Sequence, residues 1–395
     1  MDVTIVGAGA IGGTLGAYLA RAGHAVTFVD AAADHVAAIN ARGLTIEGQR
    51  ETFTVRAPAL LPAQLRGPLG MVFLAVKTMH TEVATAQIAP HLAPDGAIVS
   101  MQNGFNEERI AAIVGPARTI GAFVNFGADY QEPGRILYGG GGALVIGELD
   151  GRITDRVRAL VDALRTAFLP HTQATDNIWG YLWGKHAYAA MLKATALVDA
   201  PIADVLADPG ARPMLANLAA EVLAVAAAEG VRPEGFDGFE PDAFVFPPRR
   251  DPARLAASLD RLVAFNRASL KAKSGVWRDL AVRRRKTEVA WVVGELRARA
   301  GRHGLHIPLV EAVGQMIGEI EAGTRQMSWD NIRQLEALNA RVYGPDATAG
   351  GPARAADPSE RTAGRPGGGP PTAPAAGAGT ATAEAAAAGE ATDGV

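Results

Sequence analysis

Three glycines near the beginning of the chain have the spacing of a turn that binds phosphate groups. In such a turn the first glycine allows a sharp bend, the second lets the backbone approach a pyrophosphate, and the third lets a helix pack closely on a strand. An apolar run from Val3 to Val6 precedes the turn, and the dipole of the following helix would face the phosphates. A glycine-rich junction without a ligand is the alternative, but this context favours dinucleotide binding. The candidate cofactor-binding residues are Gly7, Ala8, Gly9, Ala10, Ile11 and Gly12.

A carboxylate stands where the second strand of a dinucleotide-binding unit would end. The apolar run from Ala25 to Val29 predicts that strand, and Asp30 follows it about 20 residues after the glycine turn. An acidic side chain at this place accepts hydrogen bonds from the adenosine ribose and repels a 2′-phosphate. Asp30 therefore favours NADH over NADPH, although a surface carboxylate at the start of a loop is the alternative.

Two further polar residues follow predicted buried strands. Lys77 comes directly after the apolar run 71–76, and Asn103 follows the run 97–100. Because ligands of open parallel sheets bind outside the carboxyl ends of the strands, we expect both residues to face the cofactor cleft. The pair Asn103-Gly104 is also common in turns that bind nothing.

A lysine and a carboxylate in the second half of the chain could share a proton-transfer site. Lys185 lies early in a predicted helix, and Glu288 lies about a hundred residues later at the start of another. Together a lysine could donate a proton while the carboxylate positions it, but each residue is also common on solvated helix faces. The basic run 283–286 could hold an anionic substrate, with a solvated helix face favoured. His303 and His306 lack a further ligand pattern, so no metal site is predicted.

The predicted elements divide the chain into an α/β part and a helical part. Apolar runs alternate with helical segments up to about residue 150, which is typical of a Rossmann-type, doubly wound parallel sheet. Strands are predicted at 3–6, 25–29, 71–76, 97–100, 119–126 and 136–146, the last broken by glycines 139–142, with a small β-pair at 43–46 and 52–55. Helices are predicted at 34–40, 81–92, 181–195, 214–229, 252–267, 286–303 and 310–322.

The domain prediction follows from this change of pattern. We expect a dinucleotide-binding domain over residues 1–170, an all-α domain over 171–343, and a disordered tail rich in Ala, Gly and Pro over 344–395. The net charge of −3 gives no indication of nucleic-acid or membrane-surface binding, and the chain has no cysteine. With no export signal or membrane span predicted, a cytoplasmic location is expected.

The ordered set of motifs resembles the ketopantoate reductase (2-dehydropantoate 2-reductase) family over roughly residues 1–322. The set includes the glycine turn, Val76-Lys77, Gln102-Asn103-Gly104, Trp183-Gly184-Lys185, the segment from Ser274 to Asp279, Lys286-Thr287-Glu288, and the segment from Gly304 to Pro308. The resemblance implies a Rossmann domain followed by a helical domain, with the active site between them. It also implies NADPH-dependent reduction of the C2 carbonyl of a 2-oxoacid, ketopantoate, to pantoate for pantothenate and coenzyme A synthesis.

The resemblance assigns roles to individual residues. Lys185 matches the general acid that protonates the developing alkoxide, and Glu288 matches the carboxylate that binds the substrate and helps to set the lysine. Asn103 matches an asparagine that contacts the cofactor and the lysine, and Lys77 matches a lysine near the nicotinamide. Ser274 lies in a matching motif and is assigned to substrate binding, together with Asn103, Lys185 and Glu288. The family contains more than one oligomeric state, a homodimer among the possibilities.

Two departures from the family pattern open alternatives. Ala189 and Lys193 stand where the family usually carries substrate-binding asparagines, four and eight residues after the catalytic lysine. Asp30 stands where NADPH users of the family tend to have a basic residue nearby. The alternatives are therefore a reductase of a different branched 2-oxo or β-hydroxy acid, NADH rather than NADPH as cofactor, or a dinucleotide sensor without catalysis.

Overall fold

The first half of the chain is built around a buried β-sheet. The structure, a computed structural model, describes residues 1–48 and 51–344. The strands of this part are β1 (Asp2–Val6), β2 (Ala25–Val29), β3 (Leu44–Gly48), β4 (Thr52–Val55), β5 (Ala59–Leu60), β6 (Leu69–Leu74), β7 (Leu92–Ser100), β8 (Thr119–Val124), β9 (Gly127–Glu132), β10 (Arg135–Gly140), β11 (Leu144–Glu148) and β12 (Gln173–Ala174).

The α-helices follow the same numbering in chain order. They are α1 (Ala10–Arg21), α2 (Ala33–Arg42), α3 (Thr81–Ile88), α4 (Asn106–Val114), α5 (Asp155–Ala167), α6 (Ile178–Thr195), α7 (Ile202–Ala207), α8 (Ala211–Ala228), α9 (Pro241–Phe244), α10 (Pro252–Ala268), α11 (Gly275–Ala281), α12 (Val289–Arg302), α13 (Pro308–Glu321) and α14 (Trp329–Tyr343). Among the described residues, the elements that follow β12 are all α-helices.

The main sheet has eight strands in the order β12-β11-β8-β7-β6-β1-β2-β5. All neighbouring pairs are parallel except β8 and β11, which are antiparallel. Strand β1 lies in the interior between β2 and β6, and its residues from Val3 to Val6 are buried. Apolar and β-branched residues suit such a strand because helices or loops cover both of its faces. The fold class is therefore the predicted one, a Rossmann-type α/β sheet followed by helices.

A second, four-stranded sheet was not predicted in this form. Its order is β4-β3-β10-β9, with β3 and β10 parallel and the outer pairs antiparallel. The predicted single strand 136–146 is wrong, because β10 joins this small sheet whereas β11 joins the main one. Glycines separate the two strands, and Gly140 has a φ of +131° that a side chain would disfavour. Strand β9 was missed entirely.

Two predicted helix boundaries also differ from the structure. The predicted helix 81–92 ends at Ile88, because Pro90 cannot continue it and Leu92 already belongs to β7. The predicted helix 286–303 begins only at Val289, so the basic run 283–286 lies in the turn before α12 rather than on a helix face. Of the predicted tail, all but Gly344 lies outside the described residues.

The helical part packs around α8, which lies in its core. Helix α8 contacts α6, α13 and α14, and most of its side chains are fully buried. Among the described helices it alone is long and apolar enough to cross a membrane by composition, but 72% of that segment is buried within the protein. Its apolar composition is that of a core helix packed on several neighbours. This core holds the neighbouring α6, which carries Lys185.

Candidate active site

The glycine turn between β1 and α1 has room for a ligand at one glycine only. Gly7 has a φ of +94°, and a Cβ there would lie 2.8 Å from the backbone of Ala75. A Cβ at Gly12 would lie 2.1 Å from the carbonyl oxygen of Gly7. A Cβ at Gly9 would meet nothing within 4 Å. The outer glycines are therefore required by packing, and the open space at Gly9 fits a phosphate beside the N-terminus of α1.

Asp30 lies beside this turn, as predicted, and it also holds the turn in place. Its Oδ2 accepts a hydrogen bond from the backbone N–H of Ala8 at 2.8 Å, and its Oδ1 accepts one from Ala32 at 2.9 Å. A carboxylate oxygen has two lone pairs, so each oxygen can accept one more hydrogen bond. The arrangement is compatible with ribose binding, and it shows that Asp30 is more than a surface carboxylate.

His35 of α2 supports the same turn and was missed by the sequence analysis. The backbone N–H of Gly134 donates to its Nδ1 at 3.0 Å, so Nε2 carries the ring hydrogen and donates to the carbonyl oxygen of Ala8 at 2.9 Å. The side chain is 1% exposed. His35 thus connects the glycine turn to the β9–β10 hairpin. Its sequence signal, one histidine in an amphipathic helix, is too common to identify such a role.

Lys77 lies after β6, as predicted, and its ammonium forms an ion pair with Asp279 of α11. Arg283 and Arg285 also donate to Asp279, at 3.1 and 3.0 Å. Burial raises the pKa of Asp279, but the Lys77 ammonium and the two guanidinium groups outweigh burial and hold the pKa below its usual value. Arg283 and Arg285 of the basic run therefore pair with a carboxylate of the protein itself. The sequence had suggested either an anionic substrate or a solvated helix face for this run.

Asn103 lies in a turn after β7, and hydrogen bonds from buried polar side chains hold this turn in place. Its carbonyl oxygen accepts hydrogen bonds from Thr78 Oγ1 at 2.9 Å and Asn106 Nδ2 at 2.7 Å, and Gly104 has a φ of +106°. The side chain of Asn103 is exposed and has no hydrogen bond to any other described residue. Its amide is thus free to bind a ligand, while the backbone confirms the turn.

Lys185 projects from α6 toward the end of β8. Its ammonium donates a hydrogen bond to the carbonyl oxygen of Val124 and lies 5.4 Å from the ring centroid of Phe123. Burial, and after it the ammonium of Lys271, lower the pKa of Lys185 to about 8 against the opposing effect of the Glu288 carboxylate. A lysine with this pKa remains mostly protonated at neutral pH but is a stronger acid than a solvated lysine.

Glu288 precedes the first turn of α12, and its carboxylate acts on two lysines of α6. It raises the pKa of both Lys185 and Lys193 against the effect of burial. Burial lowers the pKa of Lys193 to about 8, and its ammonium contacts the carbonyl oxygen of Ala189 at 3.5 Å. The structure therefore brings Lys185 and Glu288 within electrostatic reach of each other, and Lys193 within reach of the same carboxylate.

Ser274 and Lys271 lie on the segment that connects α10 to α11. The Oγ of Ser274 accepts a hydrogen bond from the backbone N–H of Trp277 at 3.1 Å and so caps α11. The ammonium of Lys271 donates to the carbonyl oxygen of Ala128 at 3.1 Å, and burial lowers its pKa. Lys271 acts electrostatically on Lys185, a proximity that no spacing in the sequence indicates.

A phosphate-binding turn on a mostly parallel sheet, joined to a helical part that carries a partly buried lysine within electrostatic reach of a carboxylate, is the arrangement of a dinucleotide-dependent oxidoreductase. The family model described as ketopantoate reductase PanE/ApbA matches residues 3–151, and the model of that family's C-terminal part matches residues 177–321. The chain belongs to the ketopantoate reductase family, whose members are oxidoreductases that act on CH–OH groups.

Curated relatives carry the name 2-dehydropantoate 2-reductase. The protein of Mesorhizobium japonicum is 33% identical over 264 residues, which are 60% of this chain and 79% of that protein. The protein of Archaeoglobus fulgidus is 26% identical over 329 residues, 81% of this chain and 98% of that protein.

Solved structures share the fold over most of the described residues. A PanE/ApbA family ketopantoate reductase from Ralstonia eutropha is 26% identical with a TM-score of 0.68, covering 82% of this chain and 99% of that chain. D-mandelate dehydrogenase, solved with NADH and anilino(oxo)acetate, is 20% identical with a TM-score of 0.70 and covers 82% of this chain and 99% of that one. At that identity the second likeness concerns the fold alone.

Proposed function

We propose that this chain reduces the C2 carbonyl of a 2-oxoacid with a reduced nicotinamide dinucleotide, and that the leading candidate reaction is ketopantoate to pantoate. The observation that carries the proposal is the placement of Lys185, a partly buried lysine whose pKa is lowered to about 8, within electrostatic reach of Glu288. Family membership supplies the reaction class, and the names of the curated relatives supply the candidate substrate.

In this proposal the dinucleotide lies along the N-terminal part, about residues 1–170, and the substrate lies against the helical part, about residues 171–343. The turn from Gly7 to Gly12 holds the pyrophosphate, with Asn103 and Lys77 placed nearer the nicotinamide. Asp30 receives the adenosine ribose and makes NADH the preferred form, because its carboxylate repels a 2′-phosphate.

When bound, the reduced dinucleotide supplies the hydride that C2 of the substrate receives. The Lys185 ammonium first stabilises the negative charge that develops on the carbonyl oxygen and then gives that oxygen its proton, leaving a hydroxyl group and a neutral amine. Glu288 orients the ammonium and accepts a hydrogen bond from a hydroxyl of the substrate. Ser274, whose Oγ already accepts from Trp277, still has its hydroxyl hydrogen to donate to the substrate.

One observation favours a second candidate within the same class. Ala189 offers no hydrogen-bonding side chain on the face of α6 that carries Lys185, and Lys193 places a second, partly buried lysine there. Loss of a hydrogen bond to a buried substrate group typically costs about 1–3 kcal/mol. A 2-oxoacid with a different side chain is therefore the competing substrate.

The experiment is a kinetic comparison of NADH and NADPH with ketopantoate and a panel of branched and unbranched 2-oxoacids. Oxidation of the reduced cofactor with a clear preference for ketopantoate supports the leading reaction, and preference for another 2-oxoacid supports the second candidate. Dinucleotide binding by calorimetry without turnover of any 2-oxoacid would contradict the proposal and favour a sensor.

A further inference from the structure

Asp237 occupies a strained turn between α8 and α9. Its φ is +45°. Among the described residues other than glycine, Arg284 alone shares such a positive φ. Backbone hydrogen bonds of 3.0 and 2.7 Å pair Phe236 with Phe239 and close the turn around Asp237. Aspartate tolerates this left-handed conformation better than most residues, but such strain persists only where surrounding contacts hold it.

The contacts that hold Asp237 come from the sheet of the first half of the chain. Its Oδ2 accepts hydrogen bonds from Asn125 Nδ2 at 2.6 Å and from the backbone N–H of Ala143 at 2.9 Å. The backbone N–H of Asn125 in turn donates to the carbonyl oxygen of Ala143 at 2.8 Å. The Asp237 carboxylate therefore closes the end of the antiparallel pair β8–β11.

This end of β8 is the place that receives Lys185. The carbonyl oxygen that accepts the hydrogen bond from the Lys185 ammonium belongs to Val124, the residue directly before Asn125. A change in the Asn125–Asp237 contact would thus shift the acceptor of Lys185. The strained turn, the strand end and the lysine form one connected unit.

Charged groups from four elements face Lys185. Lys271, on the segment between α10 and α11, and Lys193, on α6 itself, both disfavour its protonated form. Glu288, at the start of α12, and Asp237, on the turn after α8, favour that form. Without the Asp237 carboxylate, Glu288 alone would balance two neighbouring ammonium groups.

We infer that Asp237 is a positioning residue for Lys185: its carboxylate fixes the end of β8 that accepts the hydrogen bond from the Lys185 ammonium, and its negative charge faces that ammonium. The inference rests on the proposed role of Lys185 as the proton donor. It adds to Glu288 a second carboxylate, contributed by a turn that contains none of the motifs described above.

The test compares Asp237→Asn and Asp237→Gly with the unchanged protein. Asparagine keeps the size of the side chain and one acceptor, and glycine adopts a positive φ without strain, so the second variant removes the carboxylate without a backbone cost. Both variants should move the alkaline limb of the kcat–pH profile to lower pH by roughly half a unit to one unit, while the Kd for the dinucleotide is unchanged. Asp242→Asn, an exposed carboxylate on α9, is the matched control and should leave the limb in place.

A second readout does not depend on turnover. Titration of the Lys185 ammonium by NMR in protein labelled with ¹⁵N-lysine should show the same downward shift in both Asp237 variants, with Lys185→Arg used to assign the signal. A titration and an alkaline limb that stay unchanged in folded Asp237 variants would overturn the inference. Absence of turnover in the unchanged protein would instead contradict the proposed function and leave the NMR comparison available.

Discussion

At the scale of single residues, the site depends on how strongly burial and charge act on Lys185. Burial favours the neutral amine, and Lys271 and Lys193 act in the same direction. The hydrogen bond to Val124 and the two carboxylates act in the opposite direction. The result is an ammonium that is a usable proton donor near neutral pH.

The pH dependence of turnover follows from the pKa of Lys185. A general acid acts only in its protonated form, and the pKa of Lys185 is lowered to about 8. We expect kcat for carbonyl reduction to be constant below this value and to fall about tenfold for each pH unit above it. Steady-state kinetics between pH 6 and 10 measure this, and a plateau extending to pH 10 would show that Lys185 does not supply the proton.

Asp30 should control the choice between the two dinucleotides. In Asp30→Asn an oxygen remains to accept the N–H of Ala8, but the charge that repels a 2′-phosphate is lost. The ratio of kcat/KM with NADH to kcat/KM with NADPH should fall by about tenfold or more. Asp95→Asn, an exposed carboxylate at the opposite end of the sheet, is the control, and a ratio equally unchanged in both variants would contradict the role of Asp30.

Only some residues of the candidate site could be predicted from the sequence. Asp30 and the glycines are predictable because a motif of fixed spacing defines them. Lys185 and Glu288 could be named from the family resemblance, but their proximity depends on how α6 and α12 pack. His35, Lys271 and Asp237 could not be found, because each acts through a contact with a residue distant in the chain.

At the scale of elements, the junction of β1 and α1 separates the demands of packing from those of ligand binding. The close contacts at Gly7 and Gly12 exist in the protein itself, whereas the space at Gly9 is open. The same motif thus contains glycines of two kinds, which can be distinguished by substitution.

Gly9→Ala should leave the free energy of unfolding nearly unchanged and weaken dinucleotide binding by about tenfold or more, because the added methyl group occupies the space of the phosphate. Gly12→Ala should instead destabilise the fold by several kcal/mol, because its Cβ would meet the carbonyl oxygen of Gly7. Urea unfolding and calorimetric titration with NADH measure both effects. Gly294→Ala, in open space on α12, is the control. Equal NADH affinity in Gly9→Ala and the unchanged protein would place the pyrophosphate elsewhere.

Five strands of the main sheet, β1, β2, β6, β7 and β8, were predictable because buried parallel strands appear as continuous apolar runs, whereas the two-residue strands β5 and β12 were not predicted. The small sheet was not, since β9 combines polar and apolar residues and β10 pairs in parallel with a strand about ninety residues earlier. The failure to predict β9 and the prediction of β10 and β11 as one strand have the same cause. Strand pairing is decided by partners that are distant in the chain.

At the scale of the whole molecule, an ion-pair cluster joins the sheet to the helical part. Asp279 is its centre and receives Lys77 from the end of β6, which lies 202 residues earlier in the chain, together with Arg283 and Arg285. The side chain of Asp279 is 5% exposed, whereas Lys77 is 35% exposed. Removing the central carboxylate would leave three neighbouring cations without their shared partner.

Asp279→Asn should therefore lower the free energy of unfolding by about 1–3 kcal/mol at pH 7, a value reduced by the solvent exposure of the cations. Because the pKa of Asp279 is depressed in the folded protein, its stabilising contribution is present above about pH 4 and is lost as the pH falls through the folded pKa. Denaturant unfolding at several pH values measures this, with the exposed Asp155→Asn as control. A difference that persists unchanged to pH 2 would contradict the electrostatic origin.

Turnover of Lys185→Met with the best 2-oxoacid substrate of the unchanged protein decides whether Lys185 is the proton donor. We expect kcat to fall by at least about 10²-fold while the Kd for NADH stays the same, because the proton donor is lost and the dinucleotide site is intact. Lys286→Met, which removes an exposed lysine beside Glu288, should keep full activity. A Lys185→Met enzyme that turns over at the rate of the unchanged protein would rule out Lys185 as the proton donor.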